Sequence, residues 1–244
     1  MTIILTVIAF TAGFISSIAG AGGLLTLPAL LWAGLPPLQA LATNKVQSAL
    51  GTASSAWNFF RKGHLQLRDT GPAIGFALVG SVAGTLVVQQ LGNEVLQRLL
   101  PVFLIIIAGY FLLSPRVSDE SSRPRLSRWQ FGGCAALGMG FYGGFFGPGM
   151  GSIFPFLFVW LLGHNLRSAT AHTKAMVLTI NGVSALLFIY HGSVLWDIAL
   201  IMSVAQIIGA YLGSSLVIHR GAALVQPLIV AVTLILSIKL LWFP

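Results

Sequence analysis

The feature that most constrains this chain is a succession of apolar runs, each long enough to cross a bilayer and joined to the next by a short loop. A spanning helix needs ~20 consecutive apolar residues. Runs of that kind occupy about 2–32, 37–60, 71–90, 95–113, 129–162, 165–190, 196–217 and 223–243. Only 7% of the 244 residues are charged, against about 25% in soluble domains, so the chain could not cover a water-facing surface of this size. Net charge is +8. Its Lys and Arg residues cluster between the apolar runs, which is the positive-inside pattern of a membrane protein and not a nucleic-acid footprint. The single cysteine, Cys134, allows no intramolecular disulfide and no metal site of its own. Residues 2–19 are apolar but no Lys or Arg precedes them, so they read as part of the mature fold and not as a signal peptide.

Two runs are too long for one simple crossing, and each is interrupted by glycine: Gly20-Ala21-Gly22-Gly23 within 2–32, and Gly147-Pro148-Gly149-Met150-Gly151 within 129–162. Glycine and proline there break a helix. Each run is either one broken, tilted helix or a full helix followed by a half-length re-entrant one. The two clusters belong to an internal repeat. Gly13-Phe14 matches Gly140-Phe141, Gly20 matches Gly147, Gly22 matches Gly149 and Pro28 matches Pro155, all at an offset of 127. The offset then becomes 129, pairing Ala42-Thr43-Asn44-Lys45 with Ala171-His172-Thr173-Lys174, Gly63 with Gly192, and Gly80/Gly84 with Gly209/Gly213. The expected fold is an all-α integral membrane protein with about eight transmembrane segments formed by two homologous halves, with Gly-broken or re-entrant helices near the start of each half. Residues 1–114 form the first repeat, 115–128 a basic linker loop and 129–244 the second repeat. With eight crossings, Arg61, Lys62, Arg68 and the linker arginines share the cytoplasmic side with both termini, and Arg98, Arg167 and Arg220 lie opposite. An odd number of crossings per half would invert the repeats.

The chemistry centres on Lys45 and Lys174. Each lies eight to eleven residues into its segment, ~13–16 Å deep and close to the bilayer midplane. A lysine there costs roughly 2.5–3.5 kcal/mol on insertion scales. Snorkelling would have to cover half the bilayer, while capping of helix carbonyls is a purely structural alternative. Thr43, Asn44, His172 and Thr173 are compact polar neighbours, and His172 is a candidate for proton coupling. All five acidic residues fall at or near loops. Two deep ammonium groups without deep carboxylates favour an anion. Helices restarting after Gly22 and Gly149 would aim N–H groups and a positive dipole end at it. The Gly-x-x-x-Gly pairs read as helix packing. No protease, hydrolase or nucleotide-binding signature occurs, and no catalytic residue, metal or cofactor is expected.

The cluster Gly20-Ala21-Gly22-Gly23 running into Leu24-Leu25-Thr26-Leu27-Pro28, the stretch Ala42-Thr43-Asn44-Lys45-Val46-Gln47, the stretch Asn58-Phe59-Phe60-Arg61-Lys62-Gly63-His64 and their second-half counterparts resemble the TauE/SafE sulfite exporter family over nearly the whole chain. The resemblance implies a multi-pass carrier of the bacterial inner membrane, not an enzyme, that exports sulfite or a related organosulfur anion. Pro148 and Met150 depart from an all-glycine second cluster, which makes the half-sites unequal. The expected substrate site combines Lys45, Lys174, Asn44, Thr43, Thr173, His172, Gly22 and Gly149, with access alternating as one half rocks against the other. An anion channel is the alternative, and a membrane-embedded enzyme a more distant one. The expected partners are a small inorganic or organosulfur anion and the lipid bilayer, with no nucleic acid; a homo-oligomer is compatible with the sequence.

Overall fold

The computed structural model describes residues 1–63, 65, 67–113 and 123–220, with the side chains of 67–69, 111–113, 167 and 217–220 left aside. The predicted segment 223–243, Arg116 and His64 lie outside the described residues. The described chain is helical, with no strand. Its helices are α1 Thr2–Ala19, α2 Gly23–Trp32, α3 Pro37–Arg61, α4 Leu67–Gln89, α5 Asn93–Leu113, α6 Arg128–Phe131, α7 Leu137–Phe145, α8 Met150–Leu162, α9 Leu166–Tyr190 and α10 Trp196–Arg220. A five-residue π-helical turn, Gly132–Ala136, joins α6 to α7.

Local sequence sets the boundaries. Pro37 opens α3 as its first residue, where a missing N–H costs nothing. The Asn165 side chain accepts from Ser168 N and caps α9, and a reciprocal Ser127/Gln130 capping box starts α6. Gly20 ends α1 at φ 73° and Gly149 precedes α8 at φ 88°, left-handed conformations that glycine adopts without strain.

Among the described residues, five helices have the length and hydropathy to cross a membrane: Thr2–Ala19, Thr70–Gln89, Asn93–Tyr110, Ser168–Tyr190 and Trp196–Leu216. The 25-residue α3 is long enough but too polar. The reason is its position. Ala40 through Ala49 are buried without interruption, so α3 faces protein all round and carries polar groups that lipid would not tolerate.

Contacts fix the helix directions. Gly209 and Gly213 of α10 lie directly against the carbonyls of Phe10 and Phe14 of α1, so α1 and α10 run parallel. In the same way Gly80 and Gly84 of α4 meet the carbonyls of Leu137 and Phe141 in and beside α7. Ser54 Oγ donates to Ile207 O at 3.1 Å and Asn58 Nδ2 to Ser214 Oγ at 2.7 Å, which makes α3 parallel to α10. Ser81 Oγ donates to Ile180 O at 2.9 Å and Thr85 Oγ1 bonds Ser184 Oγ at 2.8 Å, which makes α4 parallel to α9. At the centre α3 and α9 are antiparallel: Lys45 reaches Asn181, while Phe59 packs with Ala171 and Ala175. Helices therefore follow one another as α1, α10, α3, α9, α4, α7, and helices from 1–114 alternate in space with those from 129–220.

These directions resolve the two overlong runs. Helix α1 starts at the end of the molecule where α3 starts, and α2 ends four residues before Pro36. Arg125 N and Leu126 N donate to Leu161 O at 2.9 and 3.0 Å, so α8 returns to the end from which α6 departs. At ten residues, α2 rises only ~15 Å, half of a bilayer core. Both runs are re-entrant hairpins. The expected charge topology changes accordingly, because a hairpin does not carry the chain across. The N-terminus lies at the end opposite Arg61, Lys62 and Arg128, and positions 167 and 220 join the Arg61 end. Arg98, in the second turn of α5, stays at the other end, beside the Leu38–Asn93 contact.

Candidate functional site

The tips of the two hairpins meet in the interior. Gly20 and Gly151 lie in direct backbone contact, so close that a Cβ on either would overlap the other. Ser152 Oγ donates to the Ala19 carbonyl across the same junction. Helices α2 and α8 begin here. The N–H groups of Leu24, Leu25 and Thr26 bond to the Ala21 and Gly22 carbonyls, and those of Met150, Ser152 and Ile153 to the Gly147 and Gly149 carbonyls, which leaves Gly23 and Gly151 as the first-turn N–H groups outside that set. Beside the junction lies a small polar cavity of about 30 Å³. The hairpin tips line one wall through Ser16, Gly20, Gly23 and Gly147 to Gly151; Asn44, Lys45, Ser48 and Thr52 of α3 and Val177 and Asn181 of α9 line the rest.

Lys45 is the largest charged group in that wall and is 1% exposed. Its Nζ donates to the Gly143 carbonyl and, at 3.4 Å, to Asn181 Oδ1. An ammonium has three donors, so one remains for the cavity. A side chain at Gly147 would collide with this ammonium. The Asn44 amide oxygen accepts from Thr26 Oγ1 at 2.5 Å and from Gln47 Nε2 at 3.0 Å; its NH2 end is left for the cavity. The Asn181 oxygen is likewise used by Lys45, and its NH2 end is left. Ser48 and Thr52 add hydroxyls, and none of the lining residues is acidic. The cavity therefore presents an ammonium, two amide donors, two hydroxyls and helix-start N–H groups, a donor-rich lining that suits an oxyanion.

The structure separates the residues that the sequence grouped. Lys45, Asn44 and Gly149 line the cavity. Lys174 does not line it: its Nζ donates to Ser16 O at 2.7 Å in the last turn of α1. This is the counterpart of the Lys45–Gly143 bond, so each lysine holds the carbonyl end of the opposite hairpin's first arm, where a cation also meets the negative end of the helix dipole. Gly22 sits behind the tip against Ala12 O and Ser16. Thr43 Oγ1 accepts from Leu195 N at 3.2 Å. Thr173 Oγ1 and His172 Nε2 are buried without a partner, away from the lining. Ser48, Thr52 and Asn181 were not singled out from the sequence. Their signal was register: 45, 48 and 52 form one helix face, and 174, 177 and 181 repeat it at an offset of 129. Among the described residues no cluster of His, Cys, Asp or Glu could hold a metal.

The family model described as "Sulfite exporter TauE/SafE" matches residues 5–240. The chain is 44% identical over 239 residues to "Probable membrane transporter protein YfcA" of Escherichia coli K12, covering 98% of this chain and 89% of that one. It is 41% identical to a "Probable membrane transporter protein" of Haemophilus influenzae over 98% and 94% of the two chains, and 42% identical to "Probable membrane transporter protein ORF9" of a Sinorhizobium species over 98% and 92%. No solved structure matches. With apolar helices folded as hairpins and crossings around a donor-lined cavity, this multi-pass protein of the bacterial membrane belongs to the TauE/SafE family of membrane transporters.

Proposed function

We propose that this transporter is a secondary carrier that exports a small oxyanion, sulfite or a related organosulfur anion, and that the anion binds in the cavity between the hairpin tips. The carrying observation is the third, unengaged donor of Lys45 in a cavity lined by amide, hydroxyl and backbone donors without a carboxylate. The anion would be held by Lys45, Asn44, Asn181 and the backbone around Gly149. Lys174, Thr43, Thr173, His172 and Gly22 would support this site without touching the anion.

The same reading takes the chain as two homologous, inverted halves with the segment 223–243 as the counterpart of α5. It is supported by positive-φ glycines that recur in pairs, Gly20/Gly147, Gly34/Gly163 and Gly63/Gly192, and by the identical length of α3 and α9. Inverted repeats built around broken helices are a recurring transporter design. Each half lends its fourth helix to the other. The bodies that rock are therefore α1, α3 and α10 against α4, α7 and α9, and not residues 1–114 against 129–244.

Flux in proteoliposomes tests the proposal. Sulfite, thiosulfate and small sulfonates should move with saturation and show counterflow. Lys45→Gln should lower flux ~10²-fold or more in a folded protein, in line with loss of a charge-assisted contact of ~3 kcal/mol. Unchanged flux in Lys45→Gln would remove the site, and fast electrogenic flux without counterflow would make the protein a channel.

A further inference from the structure

We infer that Phe59 and Phe188 are the two gates of the anion path, each closing one end of the α3–α9 pair beyond the cavity. The inference rests on the carrier reading above and names what shuts its site from the two membrane faces.

Register places the two rings. Lys45, Thr52 and Phe59 follow one another at seven-residue spacing on α3, and Lys174, Asn181 and Phe188 do so on α9. Seven residues are close to two turns, so each trio lies along one helix face. The helices are antiparallel, with Lys45 against Asn181. Their donor-bearing stretches therefore meet in the middle, where Thr52 and Asn181 line the cavity and neither ring does. The rings lie at opposite ends, Phe59 ~10 Å beyond Thr52 and Phe188 as far beyond Asn181. Both are fully buried. Phe59 forms an apolar cluster with Leu65, from the loop after α3, and with Ala171 and Ala175 of α9. Phe188 shares a cluster with Val194, from the loop after α9, and with Ala42 and Val46 of α3. Leu195 N, donating to Thr43 Oγ1 at 3.2 Å, seats that loop on α3. The two quartets match member by member at the offset of 129 that also pairs the lysines. In each, the loop residue stands two places after a left-handed glycine, Gly63 or Gly192.

The chemistry of the helix faces changes at these rings. From Lys45 to Thr52, α3 offers the cavity an ammonium and two hydroxyls. Ser55, the next hydroxyl, donates to the Thr52 carbonyl at 3.0 Å, and beyond it the Phe59 quartet holds no polar side-chain atom. An anion passing between α3 and α9 would shed its water there with no donor to replace it, so a packed apolar quartet is a barrier. Each gate also joins α3 to α9, the two helices that belong to different rocking bodies. A tilt of α9 against α3 that separates one quartet presses the other together. One end then opens as the other closes, which is what a carrier requires and an open pore lacks.

Thiol labelling of the whole protein tests the gates. In a Cys134→Ser background, Ser48→Cys places a single thiol in the cavity wall. A membrane-impermeant sulfonated methanethiosulfonate is then added to one face or the other of sealed vesicles. Phe59→Ala should raise the labelling rate at least tenfold from the Arg61 face and leave the opposite face within about threefold of the parent. Phe188→Ala should do the reverse. Phe59→Val, a milder truncation, should show the same sidedness and serves where alanine leaves too little folded protein. Rings that only fill the core would, on truncation, change labelling from neither face or from both alike, and either result overturns the gates. Flux of sulfite, thiosulfate and methanesulfonate by the wild type is measured in proteoliposomes alongside. A wild type that carries none of them overturns the carrier reading and the gates with it, whereas labelling without sidedness in a protein that carries one of them overturns the gates alone.

Discussion

At the residue scale, two lysines in equivalent register serve unequal surroundings. Both donate to the last-turn carbonyls of a helix that ends inside the protein, an arrangement that satisfies acceptors lipid cannot reach. Lys174 donates to Ser16 O and does not line the cavity, so Lys174→Met should destabilise the protein by ~1–3 kcal/mol, the cost of a buried unpaired acceptor, and leave anion affinity near wild type. Thermal unfolding in detergent beside a binding titration checks both halves of that statement; loss of binding at unchanged stability would reverse the assignment. Met150 makes the second residue-scale case. It lines the cavity where the other hairpin has Gly23, and its thioether fills the space next to Gly143 and Ile180. Met150→Ala should admit larger anions and raise sulfoacetate flux relative to sulfite several-fold. An unaltered ratio would mean that the thioether does not set the size limit.

At the element scale, helices touch through glycine. Gly13 and Gly209 bring α1 against α10, and Gly140 and Gly80 do the same for α7 and α4, each facing a backbone carbonyl of the partner. Close approach of backbones replaces the hydrophobic drive that lipid does not supply. Gly84→Leu should separate α4 from α7 and cost ~1–3 kcal/mol or more as an overpacked interface. Gly75→Ala on the same helix meets nothing within 4 Å and should be neutral or stabilising by ~0.5–1 kcal/mol. Expression level and melting temperature of the two variants give the comparison, and equal behaviour would argue against packing as the role of the glycine stripe. The hairpin tips are tighter still, because Gly20 combines a left-handed φ with backbone contact to Gly151.

At the scale of the whole molecule, the hairpins place Arg61, Lys62, Arg123, Arg125 and Arg128 at one end, with Trp160 under the Arg125 guanidinium at 5.3 Å. Bacterial topology puts such an end in the cytoplasm. In a Cys134→Ser background, Lys62→Cys should label only from the cytoplasmic face and His191→Cys, exposed at the other end, only from the opposite face in intact cells. The reverse pattern would invert the orientation. The intertwined packing also predicts mechanics: a disulfide between α1 and α10 should leave transport intact, whereas one between α3 and α9 should arrest it.

The sequence by itself determined the membrane environment, the helix breaks at Gly20–Gly23 and Gly147–Gly151, and the two deep lysines, because these rest on composition and on local backbone chemistry. Asn44, Lys45 and Gly149, which line the cavity, were legible as candidates for the same reason: a charge or a break in an apolar run stands out on its own. Tertiary structure decided what spacing cannot encode. Whether a broken run crosses or turns back depends on its packing partner, and that choice set the side on which the N-terminus lies. Asn181 and Thr52 became cavity residues only because α3 and α9 cross antiparallel. Lys174, identical to Lys45 in local sequence logic, reaches the Ser16 carbonyl at the end of α1 and does not line the cavity beside Lys45.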